Sequence, residues 1–200
     1  IKIWMDKKEK EEEQKEIFKI ALTSTIRVIS GNNKIGVNFG NKNFGSKNLY
    51  FSEFDNLKNA DNYVKIRAEA DSKALKLRYS NNEIYQKNLP KTSIAKSLYS
   101  LAEKIRYEKI GSENLKGIKH NIIKNYELKQ KLKKKDQLET REDIGVKEAF
   151  DLYLQNNFLN LKLTKLSEEI LSSWKTVFDE KFKAKIDFFK ENINNQKIFN

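Results

Sequence analysis

Residues 63–123 read YVKIRAEADSKALKLRYSNNEIYQKNLPKTSIAKSLYSLAEKIRYEKIGSENLKGIKHNII and contain three amphipathic segments joined by two short breaks. The first segment predicts a helix over about 61–79, because its apolar residues recur at the three- and four-residue spacing of a 3.6-residue period. Its stripe consists of Ile66, Ala70, Ala74 and Leu77. The stretch therefore predicts three helices whose apolar stripes close on one core.

Polar residues and a proline separate these segments. Residues 80–82 interrupt the first helix, and Pro90 ends the short piece that follows, because proline has no backbone N–H for a continuing helix. A second helix is expected from about Ser93 to Gly111, with Gly111 as its C-terminal cap. A third helix is expected from about Ser112.

The N-terminal side of this stretch predicts one long helix and a pair of strands. A strongly helix-forming charged run leads into an apolar face, so we expect a helix over Ile1–Ser30 that stops at Gly31. Apolar residues then alternate over 35–39 and again over 49–51, which predicts a small β-hairpin. Aromatic side chains on a hairpin can stack on nucleic-acid bases, but they more often anchor the hairpin to a helical core.

The C-terminal side predicts two further helices, one over about 146–153 and a long one from about Thr164. The long helix has eight apolar residues in helical order: Leu166, Ile170, Trp174, Phe178, Phe182, Ile186, Phe189 and Ile193. Bulky side chains at this spacing are more often core than an exposed partner site. The whole chain is therefore expected to be mainly α-helical, with about six helices and a small β-hairpin near the N-terminus.

Composition favours one helical domain over residues 1–200, with a possible sub-boundary at 135–143. Charged residues make up 34% of the chain, and there are seven Gly and one Pro, a balance typical of helices with solvated outer faces. Cysteine is absent, no stretch is apolar enough to span a membrane, and the first thirty residues are too charged for a signal peptide. We therefore expect a cytoplasmic protein.

No set of residues in the sequence assembles a catalytic site. His120 is the only histidine, and without cysteine a zinc site would be hard to build, so an ordinary helical histidine is expected. The carboxylates of Glu11–Glu13 and Glu168–Glu169 are adjacent in sequence and point to different sides of a helix. No glycine-rich stretch has the ending of a phosphate-binding loop. We expect no catalytic, cofactor-binding or metal-binding residue in this region.

Lysine gives the chain a net charge of +12, which attracts phosphates, anionic lipids or acidic polypeptides. The densest run comprises Lys129, Lys131, Lys133, Lys134 and Lys135. Such a run could release counterions from nucleic acid, but lysines are also favoured near a helix C-terminus by the helix dipole. A basic nucleic-acid-binding module, or a plain scaffold, is therefore the less favoured alternative.

Opposite charges recur at helical spacing in the central stretch. Arg67 and Asp71 are four residues apart, and Glu103 and Arg106 are three apart, so each pair can meet across one helical turn. Glu108 can pair with a neighbouring helix. Such pairs are usually struts at the surface or between helices.

Several short motifs also follow one another in a fixed order. The clearest are Arg67–Arg78, Ile84-Tyr85, Leu89-Pro90 and Ala102–Gly111, and weaker ones are Phe18–Gly31 and Asn195–Phe199. Together they resemble the amino-terminal region of the CobT family, a subunit of the aerobic cobaltochelatase. The resemblance covers nearly the whole chain, and its specificity lies in the order and spacing of the motifs.

The resemblance implies an oligomeric assembly with an AAA+ ATPase and a large ring-binding subunit that inserts Co²⁺ into a corrin precursor. It implies that ATP, Mg²⁺ and Co²⁺ are used by that complex and that none is bound by this region. The candidate assembly positions are Arg67, Asp71, Arg78, Glu103, Arg106 and Glu108. No Asp-x-Ser-x-Ser run is present, so the von Willebrand A-like domain that follows in the family is expected to be absent. The chain is interpreted as a fragment or a naturally short member.

Overall fold

The computed structural model describes residues 2–40, 48–53, 59–133 and 142–200, with the backbone alone for 2–7 and 142–144. Its elements in chain order are α1 (Lys2–Ser30), β1 (Gly36–Phe39), β2 (Asn48–Phe51), α2 (Ala60–Tyr79), α3 (Asn82–Lys87), α4 (Ser93–Asn114), α5 (Lys116–Leu132), α6 (Glu142–Leu159), α7 (Lys165–Phe178), a π-helical turn (Asp179–Lys183), α8 (Ala184–Glu191) and α9 (Gln196–Phe199). The prediction of a mainly helical protein with two strands near the N-terminus is confirmed.

The chain divides into two compact units, Ile1–Arg78 and Tyr79–Asn200. The sub-boundary expected at 135–143 falls mostly on residues outside the described ranges and stays a prediction. Lys134 and Lys135 of the lysine run also lie outside them. Within the described ranges, no helix is both long enough and apolar enough to cross a membrane.

In the first unit, α1 forms as its apolar pattern predicts. Leu22 and Ile26 are completely buried on one face of the helix. Gly31 follows the last helical residue with a φ of +68°, a left-handed conformation that glycine adopts without steric cost. The predicted stop at Gly31 is therefore confirmed.

The two strands pair in parallel, with Gly36 opposite Asn48 and Phe39 opposite Phe51. The strands were predicted correctly, but the predicted hairpin is wrong, because a hairpin pairs its strands antiparallel. Alternation of apolar residues predicts strands and carries no information about their relative direction. The rings of Phe39 and Phe51 stack at 5.5 Å, and Phe51 is buried. Lys73 of α2 donates to the carbonyl oxygen of Tyr50 at 2.5 Å and lies 4.2 Å from the Phe51 ring centroid. These contacts anchor β2 to a helix.

The helix predicted over 61–79 is confirmed as α2, but its buried face is rotated from the expected stripe. Leu77, expected in the core, is 44% exposed, whereas Ala68 and Leu75 are buried. The predicted stripe was wrong at Leu77 because several small residues allow more than one phase of the same period. Asp71 is also buried on this helix, at 1% exposure.

In the second unit, α4 packs against both α5 and α6, and α6 packs against α7. Thr92 starts α4 by accepting a hydrogen bond from the backbone N–H of Ala95 at 3.3 Å. The cap predicted at Gly111 is wrong, because α4 continues to Asn114. Gly111 is buried within the helix, and only Gly31 and Gly40 among the described glycines have a positive φ.

The long C-terminal helix predicted from Thr164 is interrupted. Thr164 does begin it, since its Oγ1 accepts from the backbone N–H of Ser167 at 3.4 Å. The helix then changes to a π-helical turn over Asp179–Lys183 before α8 begins. Phe178 and Ile186, on either side of that turn, are both buried. A π-helical turn shifts the register of the face, which an eight-residue stripe does not reveal.

Candidate functional site

An open groove of about 1120 Å³ in the second unit is the candidate functional site. It lies between α3, the loop before α4, and the helices α4, α5 and α6. Six lysines line it: Lys91, Lys96, Lys104, Lys129, Lys133 and Lys147. Two lining carboxylates, Glu148 and Asp151, offset only part of that charge. We call this site the lysine groove.

Helix α4 supplies one wall of the lysine groove. Ser93, Ser97, Ser100, Leu101 and Lys104 line it and recur three or four residues apart, so they share one face of the helix. Helix α3 is held beside this face, because the Tyr85 hydroxyl lies 3.1 Å from Ser100 Oγ and the Tyr99 hydroxyl donates to the Tyr85 carbonyl at 3.3 Å. The wall is thus fixed by contacts within the unit.

A buried hydrogen bond forms the floor. The Tyr126 hydroxyl donates to Glu108 Oε2 at 2.6 Å, and both side chains are buried. Burial, together with the negative charge of Glu108, raises the pKa of Tyr126 well above its usual value. Two lysines flank this ring, with Lys104 Nζ at 5.3 Å and Lys129 Nζ at 5.6 Å from its centroid. Their charges therefore sit over an aromatic surface that attracts cations.

Helix α6 supplies the facing wall through Lys147, Glu148 and Asp151. Glu148 lies 2.5 Å from Lys133 Nζ and neutralises that lysine. Asp151 has a buried Oδ1 that accepts no hydrogen bond. A buried acceptor without a donor lowers the free energy of unfolding by about 1–3 kcal/mol. This wall therefore contains one unsatisfied acceptor, Asp151 Oδ1.

Three of the lysines keep their charge available. Within the part of the chain that the structure describes, Lys91, Lys96 and Lys147 form no ion pair. Like charges that line one concave surface raise the local positive potential and concentrate anions there. The lysine groove is therefore suited to an anionic ligand.

A second face of α4 carries a different arrangement of charge. Arg106 and Glu103 are 1% and 2% exposed and form a two-point ion pair, at 2.8 Å from Nε to Oε2 and 2.9 Å from Nη2 to Oε1. Arg106 also donates to the carbonyl oxygens of Ile193, at 3.2 Å, and Tyr79, while the Ser80 hydroxyl donates to Glu103. We call these five residues the Arg106 network.

The side-chain amide of Gln196, the first residue of α9, bonds to the same region. Gln196 Oε1 accepts from the backbone N–H of Asn81 at 2.7 Å, and its Nε2 donates to the Asn81 carbonyl at 3.2 Å. Gln196 and Arg106 come from two of the motifs that carried the family resemblance. Both side chains bond to the segment 79–81, Gln196 at Asn81 and Arg106 at Tyr79.

The structure separates the six candidate assembly positions. Glu103 and Arg106 pair as their spacing predicted, and Glu108 bonds to Tyr126 of the neighbouring helix. In the first unit, Arg78 is exposed and donates to the carbonyl oxygen of Ile29 at 3.0 Å; Asp71 is buried and Arg67 half-buried. The assembly role of these positions stays a prediction.

Most of the lysine groove does not follow from the sequence. Lys129 and Lys133 belong to the lysine run, but no local pattern groups them with Lys91, Lys96, Lys104 and Lys147. Lys96, Ser100 and Lys104 recur four residues apart and could have indicated a polar face on α4. The packing of this face against α6 depends on tertiary structure and does not follow from the spacing.

His120 lies exposed on α5. In the described ranges, no three or more His, Asp or Glu side chains come together in a way that could hold a metal ion.

Comparison with known proteins gives one family. The family model described as cobalamin biosynthesis protein CobT matches residues 12–200. No solved structure matches the chain.

Proposed function

The chain belongs to the CobT family of cobalamin biosynthesis proteins, and on that premise we propose that it is a non-catalytic assembly subunit of an ATP-dependent cobaltochelatase. The family implies a role in cobalamin biosynthesis. The match over residues 12–200 is the observation that carries this proposal, because it includes all of the lysine groove and the Arg106 network.

The proposed partners are an AAA+ ATPase subunit and a large subunit that holds the corrin precursor. ATP and Mg²⁺ would act in the ATPase, and Co²⁺ is the substrate of the complex. Desolvating Co²⁺ and fitting it into a ring is unfavourable, and ATP-driven remodelling can supply the free energy. The part of this chain is to hold the assembly together.

Two features support a platform role. The Arg106 network joins α4 to the segments around Tyr79 and Ile193 through a buried ion pair, so it fixes their geometry. The lysine groove beside it leaves positive charge open to a partner. A braced scaffold next to an open charged surface suits a subunit that others dock on.

Native mass spectrometry tests the assembly directly. The chain is mixed with the chelatase-type AAA+ ATPase of the same organism, with ATP and without it. We expect a ring-sized complex that needs both proteins and ATP. If the chain is folded by circular dichroism and forms no complex in either condition, this region does not suffice for docking and the proposal fails.

Nucleic-acid binding is the second candidate, and the six lysines of the groove are the observation that favours it. Binding of a duplex or single strand at about 150 mM salt, with a steep fall in affinity as salt rises, would support this alternative.

A further inference from the structure

We propose that the lysine groove is a docking site for an acidic polypeptide segment that carries apolar side chains among its carboxylates. The inference goes beyond the proposed function, because it needs only the groove and no chelatase partner. It rests on the lysines of the walls and on the apolar residues that line the groove.

The lysines provide the charge complementarity. Lys91 lies in the loop before α4, Lys96 lies near the start of α4, and Lys147 lies on α6. These charges, which form no ion pair in the described ranges, therefore lie on two walls of an open groove. A single small anion would be bound more tightly by charges converging on one point. Charges spread along two walls match an extended ligand with several carboxylates.

Apolar residues of the groove distinguish a peptide from a uniformly charged polymer. Leu89, Leu101 and Tyr85 are half-buried and line the groove, together with the buried Leu152 and Tyr107. Apolar side chains of a ligand gain about 25 cal/mol for each Å² that they remove from water here. An acidic segment that also carries leucine or phenylalanine would use both the lysines and these apolar residues.

Fluorescence anisotropy with defined probes tests the proposal on the full chain. The probe is a labelled peptide of about 14 residues with two repeats of Glu-Asp-Leu-Glu-Asp-Phe-Glu. One comparison probe replaces Glu by Gln and Asp by Asn, and another is a labelled single-stranded oligonucleotide of equal charge. At about 150 mM salt, where exposed charges are screened beyond about 8 Å, we expect the acidic peptide to bind at least about tenfold more tightly than either comparison probe.

Two charge-reversal variants place the binding in the groove. Lys96→Glu with Lys147→Glu reverses two charges in the groove, and Lys119→Glu with Lys124→Glu makes the same change on exposed positions of α5 that do not line it. The groove variant should weaken peptide binding about tenfold or more, and the control variant less than about threefold. Circular dichroism checks that both are folded.

The proposal is overturned if the oligonucleotide binds more tightly than the peptide, or if the groove and control variants bind the peptide equally.

Discussion

The two charged faces of α4 differ in how their charges are satisfied. On one face, Arg106 is buried and bonded to Glu103 and to two backbone carbonyls. On the other, Lys96 is exposed at an open groove and forms no ion pair in the described ranges, whereas Lys104 is half-buried and lies 3.8 Å from Glu108. Removing one partner of a buried ion pair destabilises the fold, because the other charge stays buried, whereas an exposed charge without a partner is available to a ligand. Charge on a helix therefore indicates function only after its partners are known.

The largest expected loss of stability comes from breaking the buried ion pair. Arg106→Ala removes one partner of the ion pair and leaves Glu103 buried, with the carbonyls of Tyr79 and Ile193 losing their donor. We expect the free energy of unfolding to fall by about 3–5 kcal/mol in urea denaturation. Lys109→Ala, which breaks a surface pair with Glu113, should lower it by less than about 1 kcal/mol. Equal losses in the two variants would show that the Arg106 network does not brace the unit.

A smaller loss is expected at the floor of the groove. Tyr126→Phe deletes the hydroxyl that donates to the buried carboxylate of Glu108. The free energy of unfolding should fall by about 1–3 kcal/mol, because a hydrogen bond to a charged group is lost and its acceptor stays buried. Tyr63→Phe, at a 44% exposed tyrosine, is the control and should change stability by less than about 0.5 kcal/mol. No difference between them would mean that water replaces the lost donor.

At alkaline pH, Tyr99, which interacts with Glu103 of the buried ion pair, loses its proton. Burial, with the charge of Glu103, raises the pKa of Tyr99 to about 12, from 10.0. The folded state therefore holds this proton more firmly than the unfolded state does, so stability is fully present below about pH 10 and is lost as the pH rises toward 12. Absorbance near 295 nm, followed with unfolding midpoints, measures both. Tyr99→Phe should flatten this loss, and an unchanged slope would contradict the assignment.

The smallest expected effect on stability is at the groove. Lys96→Glu with Lys147→Glu alters side chains that form no ion pair in the described ranges, so the free energy of unfolding should change by less than about 1 kcal/mol. Differential scanning calorimetry would measure it. A loss as large as that of Arg106→Ala would place these lysines in the fold and remove them from the binding surface.

Local patterns predicted much of this fold. The stop at Gly31, the break before α4 and the start at Thr164 each depend on one residue's backbone or capping preference, so they could be found in the sequence. The continuation of α4 through Gly111 and the parallel strand pair depend on tertiary context. Neither follows from periodicity.

The candidate site was less predictable than the fold. The pairing of Glu103 with Arg106 followed from their spacing on one helix. The same pattern gave no sign that Arg106 also bonds to Ile193, 87 positions further along the chain. Lys91 and Lys147 likewise share a groove only because α4 and α6 pack together.

Fluorescence anisotropy of the acidic peptide with two variants tests most directly whether the buried face and the groove face of α4 have separate roles. The acidic peptide is titrated into Arg106→Ala and into Lys96→Glu with Lys147→Glu, with the folded fraction of each measured by circular dichroism. We expect Arg106→Ala to bind with unchanged affinity per folded molecule and the groove variant to lose about tenfold or more in affinity at near-normal stability. The opposite pattern, with affinity lost in folded Arg106→Ala and retained in the groove variant, would contradict it.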